Sequence, residues 1–141
     1  MIEPLPDSLE RALSRSLAPI EQVFVKLKGA FKEALVCTSM RIIILKAGWM
    51  TAQWFGTGMF QCPYPNVSGA QVNFTLVAGY FEHSTGGTRN TPKSFWKTDQ
   101  GVSAAKAPNC VTIGGPRRAE LFRDACTFIM ERASRGTGTY R

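Results

Sequence analysis

The sequence has few of the residues that metal centres and disulfide frameworks require. It holds one histidine, and its four cysteines, Cys37, Cys62, Cys110 and Cys126, are separated by 25, 48 and 16 positions. Zinc sites use closely spaced cysteine or histidine pairs, and no Cys-x-x-Cys pair is present. We therefore expect no metal, and four reduced, mostly buried thiols rather than disulfides.

The sequence also lacks a long apolar run. No segment approaches the roughly 20 consecutive apolar residues of a membrane span. The N-terminus, residues 1–7, has acids and prolines where an export signal has basic residues followed by an apolar stretch. We therefore expect a cytoplasmic protein, which can still lie at the periphery of a membrane.

Catalytic arrangements are missing as well. His83 stands beside Glu82 in an alternating segment, which is typical of a surface histidine, and the glutamates are scattered without a pattern that pairs them. Neither glycine pair lies in a phosphate-binding motif. The sequence therefore predicts that the protein is not an enzyme and needs no cofactor.

The composition is that of one globular domain. The chain has 141 residues, of which 44% are hydrophobic and 19% charged, a balance that excludes a disordered protein. The net charge is +7, and residues 89–141 contribute +6 of it. Such a field attracts anionic lipid headgroups, nucleic acid or an acidic partner, although it can also be a solvated face. The candidate anion patch beside Trp96 consists of Lys93, Lys97, Lys106, Arg117, Arg118 and Arg123.

Short apolar segments predict an antiparallel meander. The strands at residues 30–37 and 41–47 are joined by only three residues, 38–40, and so short a link excludes a parallel return. Similar segments occur elsewhere in the chain, at 23–29, 59–62, 70–76, 79–84 and 109–113, with a short candidate at 94–96. About seven antiparallel strands are expected.

Two helices frame the strands. Leu9, Leu13 and Leu17 recur every four residues after the candidate caps Asp7 and Ser8, which predicts a short amphipathic helix. We expect its apolar stripe to pack on its own domain or on a neighbouring subunit rather than on a membrane. A second helix is expected from about Pro116 to Ala133, capping the sheet. The predicted organisation is an N-terminal segment (1–22), a domain (23–133) and a flexible basic tail (134–141).

Residues 34–48 form an apolar strand, a Thr-x-x-Arg link with Thr38 and Arg41, a second apolar strand and a glycine. This pattern resembles bacterial pleckstrin-homology-like (PH/GRAM-type) domains, as do residues 64–69, 79–82 and 106–109. The resemblance covers roughly residues 23–133. It implies a mainly β split barrel of about seven antiparallel strands with a C-terminal helix. By their own chemistry, Thr38 can hydrogen-bond the local backbone and shape the turn, and Arg41 is placed to bridge strand ends or cap carbonyls.

The resemblance further implies a non-catalytic binding or assembly module, since members of this bacterial group can associate into rings. It does not imply a lipid. Eukaryotic relatives hold phosphoinositides with basic residues flanking a long first loop, and here that loop shrinks to residues 38–40.

The best candidate interaction loop contains Trp49, Met50, Trp54 and Phe55 between glycines. Bulky aromatics there suit a protein hot spot or an interfacial membrane anchor, unless they fold back to fill the barrel. We expect a non-enzymatic scaffold that binds a protein or a second copy of itself, beside a membrane or away from it. The alternatives are anionic phospholipid binding through the basic C-terminal third and, third, nucleic-acid binding.

Overall fold

The computed structural model describes residues 1–30, 32–47, 57–75, 78–85 and 109–138. The strand candidate at 94–96 lies outside these ranges. The elements follow in this order along the chain: α1 (Asp7–Ser16), β1 (Val23–Lys28), β2 (Glu33–Thr38), β3 (Arg41–Ala47), β4 (Thr57–Pro63), a 3-10 turn (Tyr64–Asn66), β5 (Val67–Thr75), β6 (Ala78–Thr85), β7 (Cys110–Ile113) and α2 (Pro116–Gly138).

The strands form two antiparallel sheets, in the orders β1-β2-β3-β4 and β5-β6-β7. Within each sheet, every strand pairs with its neighbour in sequence. β2 and β3 are joined only by Ser39 and Met40, so that Cys37 lies opposite Ile42. The predicted antiparallel meander is therefore confirmed. Two such sheets followed by a C-terminal helix have the arrangement of a PH-like split barrel, the fold class expected from the sequence.

Helix α1 is confirmed, but its start differs from the prediction. Pro6 occupies the N-cap position and no side chain caps the helix, so neither Asp7 nor Ser8 plays that role. Instead the Leu5 amide donates a 2.9 Å hydrogen bond to Glu10 Oε2. Because Pro6 already fixes the backbone leading into the helix, the capping position lies one residue earlier than the acid and serine suggest.

Helix α2 begins at Pro116 as predicted and continues to Gly138, five residues beyond the expected end. Residues 134–138 are thus helical where the sequence predicted a tail. A glycine in a helix costs only about 1 kcal/mol relative to alanine, so Gly136 does not stop it. Neither of the two described helices combines the length and apolar character that crossing a bilayer requires.

The main core lies between the two sheets and α2. Alternate residues of β1, β2 and β3 point into it, and α2 adds a stripe at helical spacing. The fully buried members with the largest volume include Phe81 from β6 and Phe122 from α2, whose ring centroids are 6.1 Å apart. The C-terminal helix therefore closes one end of the barrel, as the sequence predicted.

The intervening residues of β2 and β3 form a second buried surface on the opposite side of the same sheet. This outer face consists of Ala34, Val36, Ile43 and Leu45, and α1 packs on it with Leu9 and Leu13, joined by Leu5. Since β2 is buried along its whole length, its apolar run is continuous rather than alternating. The leucine-faced helix thus packs on its own domain, one of the two partners that the sequence left open.

The four cysteines are all free thiols. Cys37, Cys62 and Cys110 are buried and Cys126 is half-buried. Burial raises the pKa of the Cys126 thiol to about 11, and burial also raises the pKa of the Cys37 and Cys110 thiols. The prediction of mostly buried thiols is confirmed, and burial favours their protonated form.

A glycine in β6 sustains the pairing of β5 with β6. A Cβ at Gly79 would lie 2.0 Å from the Asn73 carbonyl oxygen and 2.6 Å from the Phe74 Cα. These are backbone atoms, so relief requires the two strands to separate. We expect Gly79→Ala to lower the free energy of unfolding by about 2 to 3 kcal/mol in urea titration.

Gly114→Ala is the matched control for that substitution. Its added Cβ would lie 3.6 Å from the Ala30 Cβ, an ordinary van der Waals distance. We expect its unfolding midpoint to stay close to that of the wild type. Equal midpoints for Gly79→Ala and Gly114→Ala would contradict the close approach of the backbones at Gly79.

Candidate interaction surface

An arginine stacked among three aromatic rings forms a partly exposed surface. We call Arg132, Phe24, Tyr64 and Phe128 the Arg132 cluster. The Arg132 Cζ lies 5.2 Å from the centroid of the Phe24 ring, 5.3 Å from that of Phe128 and 5.6 Å from that of Tyr64. These distances are within the range of cation–π attraction. The rings therefore hold the guanidinium in one place.

Local structure explains how the cluster forms. Phe128 and Arg132 are four residues apart on α2 and so share one face of the helix. Phe24 lies in the edge strand β1 at an irregularity in its pairing with β2, between Val23 and Val25. Such bulges re-aim a side chain, and here the Phe24 ring meets Phe128 at a centroid distance of 5.9 Å.

The base of the cluster is tied to the β2–β3 turn. Buried Tyr64 donates a 2.6 Å hydrogen bond from its hydroxyl to the Thr38 carbonyl, and burial raises the pKa of that hydroxyl. Arg132 Nη2 donates a 3.4 Å bond to the Ser39 carbonyl. Helix α2, the edge strand β1 and the turn therefore hold the cluster from three sides.

The outer rim of the cluster is open to solvent. Phe24 is 39% exposed, and Met40, which follows Ser39 in the turn, is 48% exposed. Within the described ranges no carboxylate forms an ion pair with Arg132. A guanidinium has five N–H donors, so Arg132 retains donors for a carbonyl or carboxylate of a partner. Exposed aromatic, methionine and arginine side chains are those enriched in protein interfaces.

A buried polar cluster shapes the β2–β3 turn. The Thr38 hydroxyl accepts 3.0 Å hydrogen bonds from the amides of Met40 and Arg41 and donates one of 2.6 Å to Glu21 Oε2. Arg41 Nε donates to the same oxygen at 2.8 Å, and its other nitrogens reach Gln61 and the Ser16 carbonyl. The roles expected of Thr38 and Arg41 are thus confirmed.

The sequence pattern did not reveal Glu21 as the partner of Arg41. Its side chain is fully buried, and hydrogen bonding from Arg41, with further bonds from the Ala18 amide and Thr38, lowers its pKa to about 2. Glu21 lies 20 positions from Arg41 in an irregular segment, so no periodicity points to the pair. The cluster joins the N-terminal segment to the sheet.

A second buried ion pair lies where the sheets meet. Lys46 Nζ is 2.9 Å from Glu33 Oε2, and both side chains are almost completely buried. The other Glu33 oxygen accepts a 2.7 Å hydrogen bond from the Thr112 amide of β7. One carboxylate therefore satisfies an ammonium in β3 and a backbone donor in β7, connecting the two sheets.

His83 differs from the sequence prediction. It was expected at the surface, but it is fully buried, and neither ring nitrogen has a hydrogen-bond partner. Its ring centroid is 5.4 Å from that of Phe60 and 6.4 Å from that of Phe81. Desolvation lowers its pKa to about 4. Because Glu82 and His83 point to opposite faces of β6, the polar neighbour in the sequence did not indicate the environment of the histidine.

The candidate interaction loop, with Trp49, Met50, Trp54 and Phe55, lies outside the described residues, as do Lys93, Lys97 and Lys106 of the anion patch. The structure places the remaining three patch residues on α2. Their positions are about 100° to 140° apart around the helix axis. Arg117 and Arg123 are exposed, whereas Arg118 Nη1 donates a 2.8 Å hydrogen bond to Glu3 Oε2.

Comparison with known proteins found no matching family model and no matching curated protein. One solved structure is similar to the chain, the 2.00 Å crystal structure of a DUF1696 family protein with a pleckstrin-homology domain from Shewanella loihica PV-4. The sequences are 15% identical, the match covers 63% of this chain and 76% of that one, and the TM-score is 0.45.

Proposed function

We propose that this protein is a non-enzymatic binding module that contacts a protein partner or a second copy of itself through the Arg132 cluster. One observation carries the proposal, namely a guanidinium held between aromatic rings at a solvent-exposed rim. Hot spots of protein interfaces are enriched in such arginine and aromatic groups. The rings also keep Arg132 in place before binding, which reduces the entropy lost when a partner docks.

The chemistry of the cluster favours a protein partner over a polyanion. Phospholipid surfaces and nucleic acids are contacted by several converging cations. The Arg132 cluster has one cation among apolar groups, and the arginines at the start of α2 point in different directions. A complex formed here should therefore depend on buried apolar area and tolerate salt.

Light scattering coupled to size exclusion, at low and high salt, tests self-association. We expect a discrete oligomer at both salt concentrations and at least tenfold weaker association for Phe24→Ser, because truncating a hot-spot residue costs more than about 1.4 kcal/mol. Met130→Ser is the matched control, since Met130 is exposed on α2 to 37%, close to the 39% of Phe24. Its position lies about 160° around the helix axis from those of Phe128 and Arg132. Equal weakening by both substitutions would contradict the role of the cluster.

If the wild type is a monomer at both salt concentrations, self-association is contradicted and binding of a different protein remains to be tested. Affinity capture then compares the proteins retained by the wild type with those retained by Arg132→Ala. Binding to anionic phospholipid vesicles that falls steeply with salt and is unchanged in Phe24→Ser would contradict the proposal and favour the anion-binding alternative.

A further inference from the structure

The N-terminal segment is oppositely charged to the surface on which it lies. Residues 1–22, which we call the arm, contain four acids and two bases and carry a net charge of −2, whereas residues 23–141 carry +9. The arm thus differs from the rest of the chain, the body, in the sign of its charge. Opposite charge of this kind favours docking between separate surfaces as well as within one chain.

The arm contacts the body through apolar side chains and through main-chain hydrogen bonds. Leu9 and Leu13 of α1 are buried on the outer face of the β1–β4 sheet. Before α1, the arm lies alongside the edge strand β1, where the Lys26 amide donates a 2.8 Å hydrogen bond to the Met1 carbonyl and the Glu3 amide donates one of 2.9 Å to the Lys26 carbonyl. The arm therefore covers both an apolar face and a sheet edge.

Two ion pairs flank these contacts. Lys26 Nζ is 2.9 Å from Glu10 Oε2, and Arg118 Nη1 is 2.8 Å from Glu3 Oε2. In each pair the arm supplies the acid and the body supplies the base. All four side chains retain some exposure to solvent, so substitutions at these positions leave the apolar core intact.

A short connection joins the arm to β1. Residues 17–22 lie between α1 and β1, and within them Pro19 and Ile20 are exposed, Ile20 to 82%. The Ala18 amide donates a 3.0 Å bond to Glu21 Oε1, and Glu21 in turn binds Arg41. The Glu21 amide also donates a 3.0 Å hydrogen bond to the Ala18 carbonyl, which closes an exposed turn over Pro19 and Ile20. The connection is thus anchored at Glu21, and opening of this turn would release the arm from its own body.

We propose that the arm exchanges between two copies of this chain, the α1 of each docking on the outer face of the other. This inference rests on the proposed assembly function and names one interface by which copies associate. Each chain has one arm and one outer face, so a reciprocal exchange produces a two-fold symmetric dimer in which both arms are docked and both outer faces are covered. Every contact that residues 1–17 make with the body within one chain is reproduced between the two chains, while Glu21 stays bound to Arg41 of its own chain.

Charge reversal on full-length chains tests the exchange. One variant carries E3R and E10K in the arm, and the other carries K26E and R118E in the body. Within either variant the arm and body repel at both positions. In a reciprocal dimer of one copy of each variant, the arm of the first, with bases at both positions, docks on the body of the second, with acids at both positions. The native arm of the second docks on the native body of the first. All four ion pairs between the chains are therefore attractive. We expect the mixture to give a species of about twice the chain mass that neither variant forms alone at the same concentration.

The control chain carries all four substitutions, E3R, E10K, K26E and R118E, which restores attraction within one chain. It should match the wild type in circular dichroism and in mass. A mixture that elutes as the sum of its separate variants, while this control is folded, would overturn the exchange. Adding Phe24→Ser to both variants separates the two proposals, because a heterodimer that survives it forms through the arms and not through the Arg132 cluster.

A variant lacking Pro19 and Ile20 provides an independent test if charge reversal prevents folding. The shortened connection hinders docking of the arm on its own body and so favours docking on a second copy. We expect a folded dimer at concentrations where the parent chain is less associated. A folded variant with the same mass as the parent would overturn the proposal.

Discussion

Lowering the pH from 6.5 to 4 is expected to reduce the free energy of unfolding by about 3 kcal/mol through His83 alone. The buried imidazole has a pKa of about 4 because of desolvation, whereas an unfolded chain gives it an ordinary value near 6.5. Between these two pH values the unfolded state binds a proton that the folded state does not. Stability therefore falls as the pH drops through this window and is unaffected by His83 above it.

Urea titrations at pH 7, 6, 5 and 4 measure this loss, and His83→Leu is the comparison. The variant should show a flatter dependence of stability on pH over the same range. At pH 7 it should be at least as stable as the wild type, because it removes two buried nitrogens that have no hydrogen-bond partner. Parallel pH profiles for the two proteins would show that His83 is not the group that titrates.

Replacing Arg41 with alanine is expected to lower the free energy of unfolding by about 3 kcal/mol, because the substitution leaves the Glu21 carboxylate buried without its cationic partner. Hydrogen bonds to Glu21 from Thr38 and the Ala18 amide remain. The loss of stability is therefore expected at the lower end of the range for removing one partner of a buried ion pair. Urea titration at pH 7 measures the change. Arg15→Ala, at an exposed position of α1, should change stability by less than about 0.5 kcal/mol.

The same substitution should also change the response to acid. The pKa of Glu21 is lowered to about 2, mainly by Arg41, so this pair stabilises the protein fully above about pH 4.5 and loses its effect as the pH falls toward 2. As the pH falls from about 4.5 toward 2, Arg41→Ala should therefore lose less free energy of unfolding than the wild type does. The double variant Arg41→Met with Glu21→Leu should lose less free energy of unfolding than Arg41→Ala, because it leaves no unpaired charge buried. A greater loss in the double variant would contradict this explanation.

Local sequence pattern determined the elements of this protein. The three-residue link between the apolar segments around residues 30–47 required an antiparallel pair, and the leucines of α1 and the apolar stripe of α2 required helices with one buried side. These features depend on residues only a few positions apart, and at that range the two-residue period of a strand and the roughly 3.6-residue period of a helix can be recognised in the sequence. The end of α2 lies five residues beyond the predicted one, because Gly136 weakens a helix without ending it.

Tertiary structure alone decided which of these surfaces meet and which side chains become partners. The run from Ile42 to Leu45 indicates a strand buried on both faces, but it does not say that α1 covers one of them. Glu21 and Arg41 are 20 positions apart, and Phe24 and Arg132 come from opposite ends of the domain. His83 looks like a surface residue beside Glu82, but the tertiary structure buries it, with the rings of Phe60 and Phe81 packed near it. Such long-range contacts have no period in the sequence, since they arise when separate elements pack together, and the candidate interaction surface consists almost entirely of them.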